Sequence, residues 1–502
     1  MRRAAIAFAL LLSLLSATLS AQNLADFEKR TTVHRLANGW TFILVERHTA
    51  PVFSFATLVD VGSAQEVPGI TGLAHMFEHM AFKGTTRIGT MDWEKEKVAL
   101  AREAAAYEAW QAERLSPQKD AEKLARLEKE FRAAQAEAAS FVIKNDFPNL
   151  IEREGGAQLN ASTGADATRY FYSLPANKIE LFCHLESERF LRPVLREFYR
   201  ERDVVQEERR MGVENNPTGR LVNQLIATAF VAHPYGQPTV GHMSDLQSFT
   251  VADAERFYRT WYVPSSFYTA VVGDIDPKTL IPMLERYFGR LPAGAPPPPL
   301  RTVEPPQQAE KSIVLRDRAQ PIYIESYHRP AATHADNAIY QAIDDILSNG
   351  RTSRLYRRLV RDEQIAVDSG SFSGWPGEKY PNLWAIYAVA APGATNAQVQ
   401  ASLRAELDRL RTEDVTAAEL ARFKTRARAD LLRGLGSNLG LARRLVDYQR
   451  LFGDWRELFR ALGRLEAVNA ADVRRVANET IKESNRTVAM LETQPSSPVT
   501  GR

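Results

Sequence analysis

The chain has 502 residues, 44% of them hydrophobic and 25% charged, with a formal net charge of +3. That length exceeds one core and gives about two to four domains, and the composition excludes a disordered chain. So small a net charge excludes an extended basic surface for nucleic acid. The single cysteine, Cys183, excludes an intramolecular disulfide, so packing alone must stabilise the fold.

The first residues, "MRRAAIAFALLLSLLSATLSAQ", place Arg2 and Arg3 before an apolar run from Ala4 to Leu15 and a stretch of small residues. This is the layout of a secretory signal over residues 1–21, with export to the periplasm or beyond. The apolar run is shorter than the ~20 residues of a membrane span, so no stable anchor is expected after cleavage. Losing Arg2 and Arg3 lowers the formal charge from +3 to +1.

"RLANGWTFILVERHTAPVFSFATLVDVGS" reads as three strands, the first two joined by a tight turn at Asn38-Gly39. The apolar positions of "GLAHMFEHMAFKGT" suit a mostly buried helix that stops near Lys83-Gly84. A glycine-free stretch rich in Ala, Glu, Lys, Arg and Leu predicts a helical hairpin over 92–147, with Ser116 able to cap and Pro117 able to start its second helix. "GGAQLNASTGADATRYFYSLP" suggests strands with an irregular edge, followed by helix from about Ile179 to Asn215.

The four-proline run in "LPAGAPPPPLRTVEPPQQ" cannot continue a helix or a central strand, and marks a linker over 291–311. The segments beginning at Thr250 and Asn469, 219 residues apart, share a pattern of helix cap, Ala-Asp, helix, short turn and apolar strand. That pattern allows an internal duplication or a chance match of two amphipathic helices.

Chemistry concentrates in His75, Glu78 and His79. Positions i and i+4 share a helix face, so two imidazoles can meet one ion, and Glu78 sits beside them as a general base for metal-activated water. With nine histidines in the chain, HxxEH arises by chance about once in a hundred such sequences. A catalytic zinc needs a third protein ligand. In "YRERDVVQEERRMGVENN", Glu201, Val204 and Glu208 fall on one helical stripe while Glu207 is turned about 100° away, which favours Glu208 with Glu201 behind it.

These phrases, with "LNASTGADATRYFYSLP", "ERDVVQEE", "HPYGQPTVG" and "FYRTWYVPSSFYTAVVGDID" in the same order, resemble the pitrilysin/insulinase family of zinc metallopeptidases, and its mitochondrial-processing-peptidase-like bacterial branch in particular. The resemblance implies an α+β fold of two related α/β-sandwich-like halves, 28–290 and 312–494, joined by the Pro-rich linker and enclosing a chamber. It implies one Zn2+ per chain held by His75, His79 and Glu208, with Glu78 as base and Glu201 orienting the site. A peptide substrate would add as a strand at Asn160 and Ala161. The implied function is an exported zinc endopeptidase acting on extended peptides or short unfolded proteins; the alternative is a non-catalytic structural or substrate-binding subunit.

Two departures stand out. Val360 and Val367 occupy the places of an Arg and a Tyr that bind substrate in the family's second half, and Arg361 is shifted by one position. A related partner chain, in a heterodimer or a homodimer, would then supply those contacts. The separation of 129 positions from His79 to Glu208 also exceeds the family spacing, and the hairpin 92–147 accounts for the excess as an insertion.

Overall fold

A computed structural model describes residues 24–494, so the signal segment lies outside the described residues. Among those residues no helix is long and apolar enough to cross a membrane.

The first half opens with β1 (Thr31–Arg35), β2 (Thr41–Glu46) and β3 (Val52–Val59), followed by α1 (Leu73–Met80). A helical hairpin, α2 (Trp93–Leu115) and α3 (Ala121–Ala139), precedes β4 (Ala157–Thr163) and β5 (Thr168–Pro175). Then come α4 (Ile179–Leu191), α5 (Phe198–Arg209), α6 (Pro217–Ala229), α7 (Val251–Trp261) and β6 (Phe267–Gly273). The second half contains β7 (Lys311–Asp317), β8 (Ile322–Arg329), α8 (Asn337–Ser348), β9 (Ala366–Trp375), β10 (Asn382–Ala390), α9 (Asn438–Phe452), α10 (Ala470–Thr480) and β11 (Arg486–Thr493), with further helices between.

The two halves are duplicates. The first sheet runs β1-β2-β6-β3-β5-β4 and the second β7-β11-β8-β10-β9, so the second repeats the first without β1. Directions repeat as well: β2 is parallel to β6 as β7 is to β11, and the remaining neighbours are antiparallel. The segments from Thr250 and Asn469 fold alike, as α7 and α10, each followed by a three-residue 3-10 turn and then by β6 and β11.

The halves also exchange helices. Leu441, Leu445 and Val446 of α9 share a core with Ile43, Val45, Ala56, Leu58 and Val272 of the first sheet. In return, Leu221 and Leu225 of α6 pack on Ile322, Ile324 and Leu491 of the second. Each sheet is thus covered on both faces, which is why β3 is buried from Phe53 to Val59 and reads as a near-continuous run rather than an alternation.

Two local expectations change. Ser116 ends α2, and the second hairpin helix is capped instead by Asp120, whose carboxylate accepts the Glu122 and Lys123 N–H groups at 2.9 and 3.0 Å. The expected single helix from Ile179 to Asn215 breaks after Leu191, because Pro193 has no N–H to continue it and Glu197 turns left-handed at φ 56°. That break lets α5 start in a new direction.

Because each half holds a helix of the other, a protease nick in the exposed 292–296 stretch should leave two fragments that co-elute in size-exclusion chromatography under native conditions. Elution as separate halves would contradict the exchange.

Candidate metal centre

Helix α1 starts where Glu66 caps it: the buried carboxylate accepts the Gly72 and Ala74 N–H groups, both at 2.7 Å. Asp245 holds the preceding turn through the Gly69 and Thr71 N–H groups at 3.0 and 3.2 Å. Leu73, Ala74, Met76, Phe77 and Met80 go into the core, which turns His75, Glu78 and His79 to the opposite side.

There they meet α5. Nε2 of His75 and Nε2 of His79 each lie 3.5 Å from a carboxylate oxygen of Glu208. One donor atom from each of the three residues falls within 4.8 Å of the others, and among the described residues this is the one such group. Donors about 2.0–2.1 Å from a tetrahedral zinc stand about 3.3–3.4 Å apart, so each imidazole is near that spacing from one Glu208 oxygen, and the N, N, O donor set suits that ion. Glu207 faces away and pairs with Arg210 at 2.7 Å.

Behind the donors, Glu201 approaches His79 Nδ1 at 3.5 Å and accepts from Lys83 Nζ, which also reaches Glu197 at 3.1 Å. Burial, reinforced by neighbouring His79, pushes the His75 pKa down to about 4, so its ring is neutral and its lone pair free through the neutral range. For His79 burial acts downward too, but Glu201 and Glu208 outweigh it and raise its pKa. Glu78 is raised by burial, against the pull of Thr163 and His79, toward the range of a working general base.

Thr163 ends β4, the free edge of the first sheet. Asn160 is exposed on that edge, and its side-chain oxygen accepts the Ala161 N–H at 2.8 Å. Ala161 is buried. A cavity of about 560 Å³ opens beside Glu78 and His79, walled by Phe82, Val204 and the hairpin exit at Ile143 and Lys144. In the second half Val367 is exposed on the free edge strand β9, Val360 is half-buried against the core, and Arg361 is spent on Asp362 at 2.6 Å.

Comparison with known proteins gives this geometry a family. The model described as "Insulinase (Peptidase family M16)" matches residues 41–112 and 140–242, and that described as "Peptidase M16 inactive domain" matches 248–427. The chain belongs to the insulinase family of peptidases, M16. Residues 113–139, which the first model passes over, comprise the end of α2, the hairpin turn and α3, a shorter stretch than the expected insertion 92–147.

This M16 chain is 27% identical to the zinc protease PqqE of Helicobacter pylori over 96% of both chains. It superposes on the crystal structure of a protease from Helicobacter pylori with a TM-score of 0.76 and 26% identity, covering 92% of this chain and 99% of that one. For the first half of the periplasmic protease PqqL from Escherichia coli the TM-score is 0.62 at 17% identity, covering 92% of each chain, and 49% of full-length PqqL is covered.

Sequence reasoning missed Glu66, Lys83 and Thr163. Lys83 had a local signal, a cation four residues past His79 at the helix exit; the partners of Glu66 and Thr163 depend on folding.

Glu201→Gln should weaken zinc binding about 10–100-fold, measured by competition with a chromophoric chelator, while Glu207→Gln leaves it unchanged. The metal-free protein should lose stability as pH falls from 6.5 through about 4, because His75 takes up a proton more readily unfolded than folded. His79, raised when folded, acts with the opposite sign and only above about pH 6.5, so the loss below 6.5 belongs to His75 and His75→Gln should flatten it in melting-temperature scans.

Proposed function

We propose that this chain is an exported zinc-dependent endopeptidase that hydrolyses extended peptides or short unfolded proteins. The observation that carries the reading is the convergence of His75, His79 and Glu208, whose donor atoms lie within 4.8 Å of one another with both imidazoles 3.5 Å from the Glu208 carboxylate, and with Glu78 beside them at the end of a free strand edge. One zinc held by those three residues would polarise a substrate carbonyl and acidify water. Glu78, with its pKa raised, takes a proton from the attacking water and returns it to the leaving amine. Lys83 holds Glu201, and Glu201 in turn orients the His79 ring.

An extended peptide added along β4 would meet backbone groups at Asn160 and Ala161, which favours extended chains over folded ones. Export rests on the N-terminal signal pattern, and PqqL is described as periplasmic. PqqL also contains about twice this length in one chain. A related partner chain supplying the contacts absent at Val360 and Val367 is the corresponding arrangement here.

Elemental analysis should find one zinc per chain, and a chelator should stop cleavage of a quenched extended peptide. Glu78→Gln should keep the zinc and lose at least about 10²-fold in rate; undiminished cleavage would remove Glu78 from the mechanism. A lone chain that cleaves as fast as a co-purified complex would remove the partner.

A further inference from the structure

The break between α4 and α5 places Arg196 at the start of the helix that carries Glu201 and Glu208. The side chain is fully buried, yet all five of its N–H donors are used. Nε and Nη2 donate to the two oxygens of Glu96, the second at 2.9 Å. Nη2 also donates to the Thr85 carbonyl at 3.1 Å, and Nη1 donates to the carbonyls of Lys83 and Ile88. The loop that leaves α1 is therefore wrapped around one guanidinium.

The loop is shaped for this. Gly84 and Gly89 both have φ 86°, and a Cβ on Gly89 would stand 2.9 Å from Arg196 Nη1. Glu96, fully buried as well, comes from the first turns of hairpin helix α2. The same hairpin braces α5 once more: Arg202 donates to the Tyr107 hydroxyl, and the Tyr107 and Tyr199 rings stack at 4.0 Å.

We propose that Glu96 and Arg196 are positioning residues for the metal centre. They join the end of the helix bearing His75 and His79 to the start of the helix bearing Glu208. They also fix the backbone of Lys83, whose ammonium holds Glu201 against His79. The hairpin is thereby a brace on the metal geometry. A buried guanidinium without its carboxylate is strongly unfavourable, so removing Glu96 forces the loop to move or the arginine to find water. The inference rests on the zinc reading above.

The test uses the full-length chain, with zinc affinity read by chelator competition and geometry by the visible absorption of the cobalt-substituted form. Glu96→Gln should weaken zinc binding about 10–100-fold and shift the cobalt bands. Leu127→Ala, which removes a buried side chain from the same hairpin and none of the Arg196 hydrogen bonds, should change neither. If Glu96→Gln does not fold, the double variant Glu96→Leu/Arg196→Met removes both buried charges together and must show the same loss. Unchanged affinity and spectrum in the folded variant, or an equal loss in Leu127→Ala, would overturn the positioning role while leaving the zinc reading intact. A wild-type chain that binds no zinc would overturn both.

Discussion

Helix α1 is only eight residues long and has to serve two environments at once. Leu73, Met76, Phe77 and Met80 must reach the core while His75, Glu78 and His79 stay together on the other face, and every feature of the first half answers to that division. A helix of two turns has no margin for rotation, since a shift of one residue, about 100°, would bury the imidazoles and expose the phenylalanine. Its start is therefore fixed by Glu66 and Asp245, and its exit by Arg196. Burying polar groups is costly without partners, and the fold supplies partners at both ends of the helix so that the middle can be left for a ligand.

The second half shows what the same architecture does without that demand. Helix α8 follows β8 as α1 follows β3, and each helix runs into a left-handed glycine, Gly84 at φ 86° and Gly350 at φ 76°. Counting back from those glycines sets Gln341, Asp344 and Asp345 against His75, Glu78 and His79. Asp344 accepts Ser371, Ser373 and Trp384 side-chain donors at 2.8, 2.6 and 2.9 Å, and Asp345 pairs with Arg426 at 3.0 Å. Its carboxylates are consumed by structural bonds, in keeping with the inactive-domain description of the matching family model.

The strands, the α1 helix and the Glu201–Glu208 stripe were legible because each is a local pattern: turn glycines, apolar spacing, and i, i+7 geometry. The duplication was half-legible, since helix, turn and strand repeat after 219 residues although few letters do. What stayed hidden depends on distance. Pro193 sits in "FLRPVLREFY", where periodicity continues on both sides, and only the need to aim α5 at His75 and His79 gives the break its purpose. The partners of Arg196 lie 100 residues away at Glu96 and more than 100 away at Lys83, and no spacing rule connects them. The helix exchange is invisible for the same reason, because an amphipathic face names no partner.

Helix exchange and the metal centre are linked through one segment. Chain leaving Glu208 passes directly, by a π-helical turn over Arg210–Glu214, into α6, which is packed on the sheet of the other half. The carboxylate expected to complete the metal set is therefore held from two directions, by the hairpin and Arg196 at the N-terminal end of α5 and by the second half at the other. A domain with a single sheet and loosely attached α5 could present two histidines, but it could not hold a carboxylate from a distant part of the chain with one oxygen 3.5 Å from each. The second half, in which no metal-binding cluster occurs among the described residues, thus takes part in the site as its anchor.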